Sequence, residues 1–172
     1  MNGLIVTGDL FNLFVFLEVA SIASYALVAF GTEAEELEAS FKYAVMGSVA
    51  SAFIFLGIAF LYGFTSTLNM ADMAQVLSSK PGTGLVPFVS VLFLMGFGLK
   101  AALVPFHAWL PDAHPSAPAS ISAMLSGVLI KTLGVYALVR VFFNVIGINS
   151  TYLSVFRFLG GLSMLVAVLT AS

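Results

Sequence analysis

Five long apolar runs separated by short polar stretches organise this chain, covering about 4–30, 41–64, 85–106, 118–146 and 153–171. A helix needs roughly 20 apolar residues to cross the hydrocarbon core of a membrane, and each run approaches or exceeds that length. In lipid, only helices and closed barrels satisfy their own backbone polar groups. Barrel strands alternate apolar and polar positions, whereas these runs are uniformly apolar. The pattern predicts an all-α, polytopic transmembrane helix bundle of about five spans, one of them proline-broken, forming a single membrane domain over residues 1–172. Five crossings would put the two ends of the chain on opposite sides.

The polar connectors carry their own signals. Thr32 followed by Glu35 reads as a capping box, so a short helix is expected to start there and run into the second span. Asn69 is placed to cap a short surface helix that ends before Lys80-Pro81-Gly82. Within the second span, Ala44, Ser48 and Ala52 recur at every fourth position, as do Gly47 and Ser51. Small residues so spaced let membrane helices approach closely, although chance in an alanine-rich helix explains them as well. No internal repeat is visible.

Composition agrees with the pattern and narrows it. Of the 172 residues 60% are apolar and 8% charged, against about 25% charged in ordinary soluble domains. A net charge of −2 offers no grip on nucleic acid or anionic lipid. The absence of cysteine excludes disulfides, thiolate metal sites and cysteine-ligated clusters from the chain. No cofactor is expected in it, so redox chemistry would belong to a partner. The first run carries Asp9 and Glu18 and has no basic leader, so it reads as a retained helix instead of a cleavable signal peptide. Counting basic residues, Lys80, Arg140 and Arg157 fall on one side and Lys42 on the other, which would make the first side cytoplasmic.

Three charges stand where charge is costly. Glu18 is near the middle of the first span, Lys100 deep in the third and Lys131 near the middle of the fourth. Each costs on the order of 2.5–3.5 kcal/mol at a helix centre by insertion scales. Desolvation penalises the charged form of such groups and brings proton exchange within reach at neutral pH. A buried ion pair that merely fixes packing is rarely worth its desolvation, and it would leave the second lysine unexplained. A proton relay through Glu18, Lys100 and Lys131 is therefore the expected function. Ser21 and Tyr25 share the helix face of Glu18, whereas Asp9 is out of phase and suits the helix start.

The third span then breaks. Pro105 lacks an N–H and clashes with the carbonyl of Ala101, so the helix should kink or stop just after Lys100, with Pro111 a second break. Unwound backbone at membrane depth is tolerated where it is buried in protein or lines water. His107, on nearly the face of Lys100 if helical geometry persists, is expected to pass protons between water and that lysine. His114 is expected at the membrane surface, in the same access channel, and Trp109 as an interfacial anchor. A metal site on His107, His114 and Asp112 is opposed by the intervening prolines, and none is expected. Gly127 and Gly134 leave room beside Lys131, and Arg140 is read as a structural residue that snorkels to the surface.

Leu10-Phe11-Asn12-Leu13-Phe14-Val15-Phe16-Leu17-Glu18 resembles the glutamate-bearing helix of the antiporter-like subunits shared by respiratory complex I, membrane-bound hydrogenases and Mrp-type sodium/proton antiporters. Lys100 with Pro105-Phe106-His107-Ala108-Trp109-Leu110-Pro111-Asp112-Ala113-His114 is similar to that family's most specific signature, and Leu129-Ile130-Lys131-Thr132 to its next lysine helix. The resemblance implies that Glu18 tunes Lys100, that Lys131 is the central relay, and that His107 belongs to the access half-channel. It also implies that the Glu33 to Glu38 loop and the His107 to Pro118 segment are cytoplasmic, against the count of basic residues. Members of the family are much longer and carry two inverted repeats. The resemblance implies that the chain would carry the family's fifth to ninth helices, as a fragment, a split-gene product or a subunit completed by partners.

The function so implied is that of a proton-translocating subunit of a redox-driven complex of the NADH-quinone oxidoreductase or membrane-bound hydrogenase type. An Mrp-type sodium/proton antiporter module without redox chemistry is the second reading, and a fragment that packs beside complete homologues the third. No catalytic site for redox chemistry is recognised in the chain. Expected partners are the lipid bilayer, other membrane subunits, homologous antiporter-like subunits among them, and a redox arm. Nucleic acid is not expected. The expected location is a prokaryotic inner or plasma membrane.

Overall fold

The structure, a computed structural model, describes residues 1–80 and 84–171, so the turn expected at Pro81-Gly82 lies outside the described residues. It is all-α: α1 (Asn2–Val6), α2 (Leu10–Val28), α3 (Ala34–Thr65), α4 (Met70–Ser79), α5 (Leu85–Lys100), α6 (Leu110–Ser116), α7 (Ala119–Ile146) and α8 (Ser150–Ala171). Among the described residues four helices, α2, α3, α7 and α8, are long and apolar enough to cross a membrane, and α5 is a shorter apolar helix. The result is a polytopic helical membrane bundle.

Local chemistry sets the boundaries, and in places it overrides hydropathy. The apolar run drawn from about residue 4 to 30 breaks at Asp9, whose carboxylate accepts the Asn12 N–H at 2.8 Å and caps α2. The short α1 before it ends against Arg140 of α7, whose guanidinium donates to the carbonyls of Leu4, Ile5 and Thr7. These are carbonyls that a terminating helix leaves open. Arg140 is thus structural, as a staple between helices. The capping box at the start of α3 sits one residue later than expected: Glu33 is the cap, and Glu36 reaches back to its N–H at 3.3 Å. Thr32 cannot serve, because its backbone turns left-handed with φ 58°. Asn69 caps α4 as expected, accepting from the N–H groups of Ala71 and Asp72.

Helix α3 is the spine, packed between α2 and α5. Of its two rows of small residues, Gly47 and Ser51 are buried, while Ser48 and Ala52 are exposed. A Cβ at residue 47 would stand 1.9 Å from the Tyr25 hydroxyl, and one at Gly96 would stand 2.8 Å from the Ala50 carbonyl. Glycine at these places permits the close approach. Helix α5 ends at Lys100, not at 106 as its hydropathy indicates. Pro105 can neither donate to the ladder nor clear the carbonyl of Ala101, and Ala102 turns left-handed with φ 52°. Pro111 lies in the first turn of α6, where no N–H is required.

The bundle has two distinct ends. At one, Lys42 bridges Glu38 and Asp112, each at 2.9 Å, joining the start of α3 to α6. At the other, Asp9 pairs with Asn69 and Arg140 holds α1. No residue of α8 is buried among those described.

Candidate functional site

Lys100 is the last residue of α5, and its side chain is only 4% exposed. Its ammonium donates to Ser21 Oγ at 2.8 Å, to Glu18 Oε1 at 3.4 Å and to Tyr25 Oη at 3.4 Å. All three acceptors lie on one face of α2, the face that the spacing 18, 21, 25 defines. Position at the C-terminus of α5 also suits a cation, since the helix dipole is negative there. Glu18 is less enclosed, at 28%. Its Oε1 takes a second hydrogen bond from Ser51 of α3. The centre is therefore assembled by three helices, and each of its two charges is met by its opposite and by hydroxyls.

Trp109 closes the centre from the side of α6. It is 3% exposed, its Nε1 donates to Leu99 O at 2.9 Å, and its ring stacks on Tyr43 at 4.3 Å and 9°. Tyr43 meets Tyr25 edge-on at 4.6 Å, and its hydroxyl is bonded to Ser24. The interfacial anchor expected at Trp109 is thus corrected to a buried plug. Terminating α5 at Lys100 frees carbonyls near its end, and a buried indole N–H needs an acceptor. Ser24, Tyr43 and Ser51 were not singled out as site residues. Ser51 had a signal, its place in the buried small-residue row. Tyr43 had none beyond being a tyrosine in a membrane helix.

Lys131 is placed differently. It sits within Leu125–Tyr136, where α7 widens to hydrogen bonds of the i→i+5 kind, a winding frequent at functional sites. Its side chain is exposed, and it has no hydrogen bond or ion pair within the described residues. Gly134, one turn on, touches the backbone of Ala101, where an added Cβ would be 2.3 Å from the Ala101 Cα. This brings α7 against the residue that follows Lys100. Gly127 has open space beside it.

His107 lies in the unwound stretch after α5, so the helical register that would align it with Lys100 does not persist. Its Nδ1 is buried and unpaired among the described residues. His114, in α6, shares a 2.7 Å hydrogen bond with Ser122 Oγ, and partial burial holds its imidazole below the usual value. Asp112 pairs with Lys42 instead of converging with the histidines, and no group of three metal-ligating side chains is found among the described residues. An open cleft lined by Glu35, Glu38, Lys42 and Asp112 marks this end of the bundle.

The fold and site define a polytopic helical membrane protein with a lysine–glutamate centre clamped among helices. The chain belongs to the family described as NADH:quinone oxidoreductase/Mrp antiporter, TM, which matches residues 7–172. It is 40% identical to a subunit of the Na(+)/H(+) antiporter of Alkalihalophilus pseudofirmus over 172 residues, covering 99% of this chain and 35% of that one. It is 43% identical to the NADH-quinone oxidoreductase subunit N of Desulforudis audaxviator over 143 residues, 83% of this chain and 28% of that one. The solved Mrp complex from Dietzia sp. superimposes with a TM-score of 0.86 at 34% identity, covering 98% of this chain and 32% of that chain. The chain thus spans about a third of the length of these relatives.

Proposed function

We propose that the chain carries protons from one membrane surface to the bilayer midplane, through Lys100 under the control of Glu18 and onward to Lys131. The single observation that carries this reading is the Lys100 ammonium, enclosed to 4% and held by one carboxylate and two hydroxyls. Whether that ammonium keeps its proton depends on the charge of Glu18 beside it. Glu18 is more exposed than Lys100, so charge arriving from a neighbouring subunit reaches it first. His107 and His114, at the end with the acidic cleft, would deliver protons from water.

The favoured setting is a redox-driven complex, in which electron transfer on partner subunits changes the charge near Glu18 and moves a proton from Lys100 to Lys131. Likeness to a subunit N of NADH-quinone oxidoreductase supports it. The Mrp-type reading is supported by the fuller coverage of this chain by Mrp relatives, 99% and 98%. In either setting the partners would be further membrane subunits, and the first would add a redox arm. The test is Lys100→Ala in the assembled complex, reconstituted in vesicles with an interior pH dye. Coupled proton movement should be abolished; movement that survives unchanged rules the relay out. Mass spectrometry of copurifying subunits separates the settings: flavin, iron–sulfur or nickel–iron subunits belong to the first, small membrane subunits alone to the second.

A further inference from the structure

Ser51 is a buried hydroxyl on α3 that faces two acceptors. One is Glu18 Oε1; the other is the carbonyl of Gly47, one turn back on its own helix, at 2.9 Å. A serine hydroxyl has one proton and two lone pairs, so it donates to only one of these at a time. Bonding to the carbonyl four residues back is the ordinary resting place of a serine hydroxyl inside a helix. Bonding to an ionised carboxylate is charge-assisted and roughly twice as strong as a neutral bond.

These facts give each protonation state of Glu18 its own arrangement. When Glu18 is ionised, Ser51 points its proton at the carboxylate. When Glu18 is protonated, the acid itself becomes a donor: its O–H is given to Ser51 Oγ, and Ser51 turns its own proton to the Gly47 carbonyl. Ser51 Oγ and Glu18 Oε1 stay bonded to each other in both states, and beyond the proton on Glu18 the only change is rotation about one C–O bond. The close approach of Gly47 to Tyr25 holds α3 at the distance that this exchange needs.

We infer that Ser51 is a positioning residue, a rotating hydrogen-bond partner that keeps the Glu18 carboxyl in place beside Lys100 in both of its protonation states. The inference rests on the reading of Glu18 as a titrating partner of Lys100. The titratable groups around Glu18 are Lys100 from α5, at 3.4 Å, and Tyr25 from its own helix. From α3 it meets Ser51, and α7 carries Lys131, which makes neither hydrogen bond nor ion pair to it among the described residues. Loss of Ser51 removes a donor from the ionised form of Glu18 and an acceptor from the protonated form. The protonated carboxyl should then be left with an unbonded O–H.

The test is infrared difference spectroscopy of the reconstituted complex during pH jumps, comparing wild type, Ser51→Ala, Ser51→Thr and Glu18→Gln. A protonated-carboxyl band that vanishes in Glu18→Gln identifies Glu18. In Ser51→Ala this band should move to higher wavenumber, and Ser51→Thr should restore it toward wild type. An unchanged band position in Ser51→Ala would overturn the inference, as would a Thr variant that behaves like Ala. Transport need not be measured, so an inactive relay at Lys100 and a failed rotor at Ser51 remain separate results.

Discussion

Lys100 and Lys131 are alike in sequence, each a single cation in an apolar run, and the folded chain treats them oppositely. Lys100 is enclosed to 4% and shares its three N–H donors among Glu18, Ser21 and Tyr25. Lys131 is exposed on a widened turn of α7, with no ion pair among the described residues. The first lysine is held by its own chain, through groups on α2. The second makes no hydrogen bond or ion pair to these helices among the described residues. One site is therefore clamped locally and the other is open to its surroundings.

The sharpest way to break that contrast is to remove the counter-charge. Glu18→Gln leaves a lysine that is 4% exposed without its anion. Stranding a buried charge costs about 3–5 kcal/mol; the remaining hydroxyls of Ser21 and Tyr25 should hold the loss to about 3 kcal/mol or less. Lys131→Gln breaks no hydrogen bond or ion pair among the described residues and should lose clearly less than Glu18→Gln. Thermal unfolding of the purified complex in mild detergent reads both. Equal losses would mean that Lys131 is as deeply engaged as Lys100, and the contrast would fall.

A smaller effect separates the plug from the lysine that it covers. Trp109→Phe keeps a ring on Tyr43 and removes the donor to Leu99 O. One buried hydrogen bond is worth about 1 kcal/mol, and Leu99 O keeps the Ala102 N–H at 3.2 Å, so no carbonyl is stranded. The expected loss is about 1 kcal/mol, with enhanced hydrogen exchange confined to the end of α5 and to α6. Exchange that rises uniformly across the bundle would contradict a local role for the indole.

Some of this was legible in the sequence, and the reason differs from residue to residue. Glu18, Ser21 and Tyr25 lie on a single helix, so their common face followed from spacing alone. Pro105 announced a stop after Lys100, but hydropathy carried the span on to 106 because it does not register a missing N–H. The stretch Thr32-Glu33-Ala34-Glu35-Glu36 offers a capping box in two registers, and the left-handed turn at Thr32 selects the later one. Ser51 and Trp109 owe their roles to contacts with α2 and α5, which no local pattern encodes. The widened winding around Lys131 accompanies the approach of Gly134 to Ala101, another tertiary fact. Local chemistry could be read along the chain; contacts between helices could not.

The same contrast predicts where salt will matter. Lys42, Glu38 and Asp112 form an exposed ion cluster at the cleft end, and exposed pairs are screened by salt. Asp112→Asn should therefore loosen the α3–α6 contact at low ionic strength and be indistinguishable from wild type at high ionic strength, as read by hydrogen exchange in α6. The Glu18–Lys100 pair should show no such salt dependence, because ions have no access to a lysine so enclosed. Salt sensitivity at Glu18 instead would place the pair in open water.

His114 gives the smallest effect and tests the cleft end by pH. It lies outside the spans, bonded to Ser122, and partial burial depresses its proton affinity below the free value of about 6.5. A depressed imidazole means that the folded chain binds fewer protons than the unfolded one around that pH. Stability is then full above the unfolded value and declines as pH falls through the folded one. Acidification from neutral pH into the range below about 6 should therefore loosen the α6–α7 junction slightly. The residue is only partly buried, so the decline should be a shoulder and not a transition. Hydrogen exchange at Ala113 to Ser122 would follow it, and His114→Gln, which keeps a hydrogen-bonding side chain but does not titrate, should flatten the profile. A decline that persists in His114→Gln would show that the acid sensitivity does not come from His114.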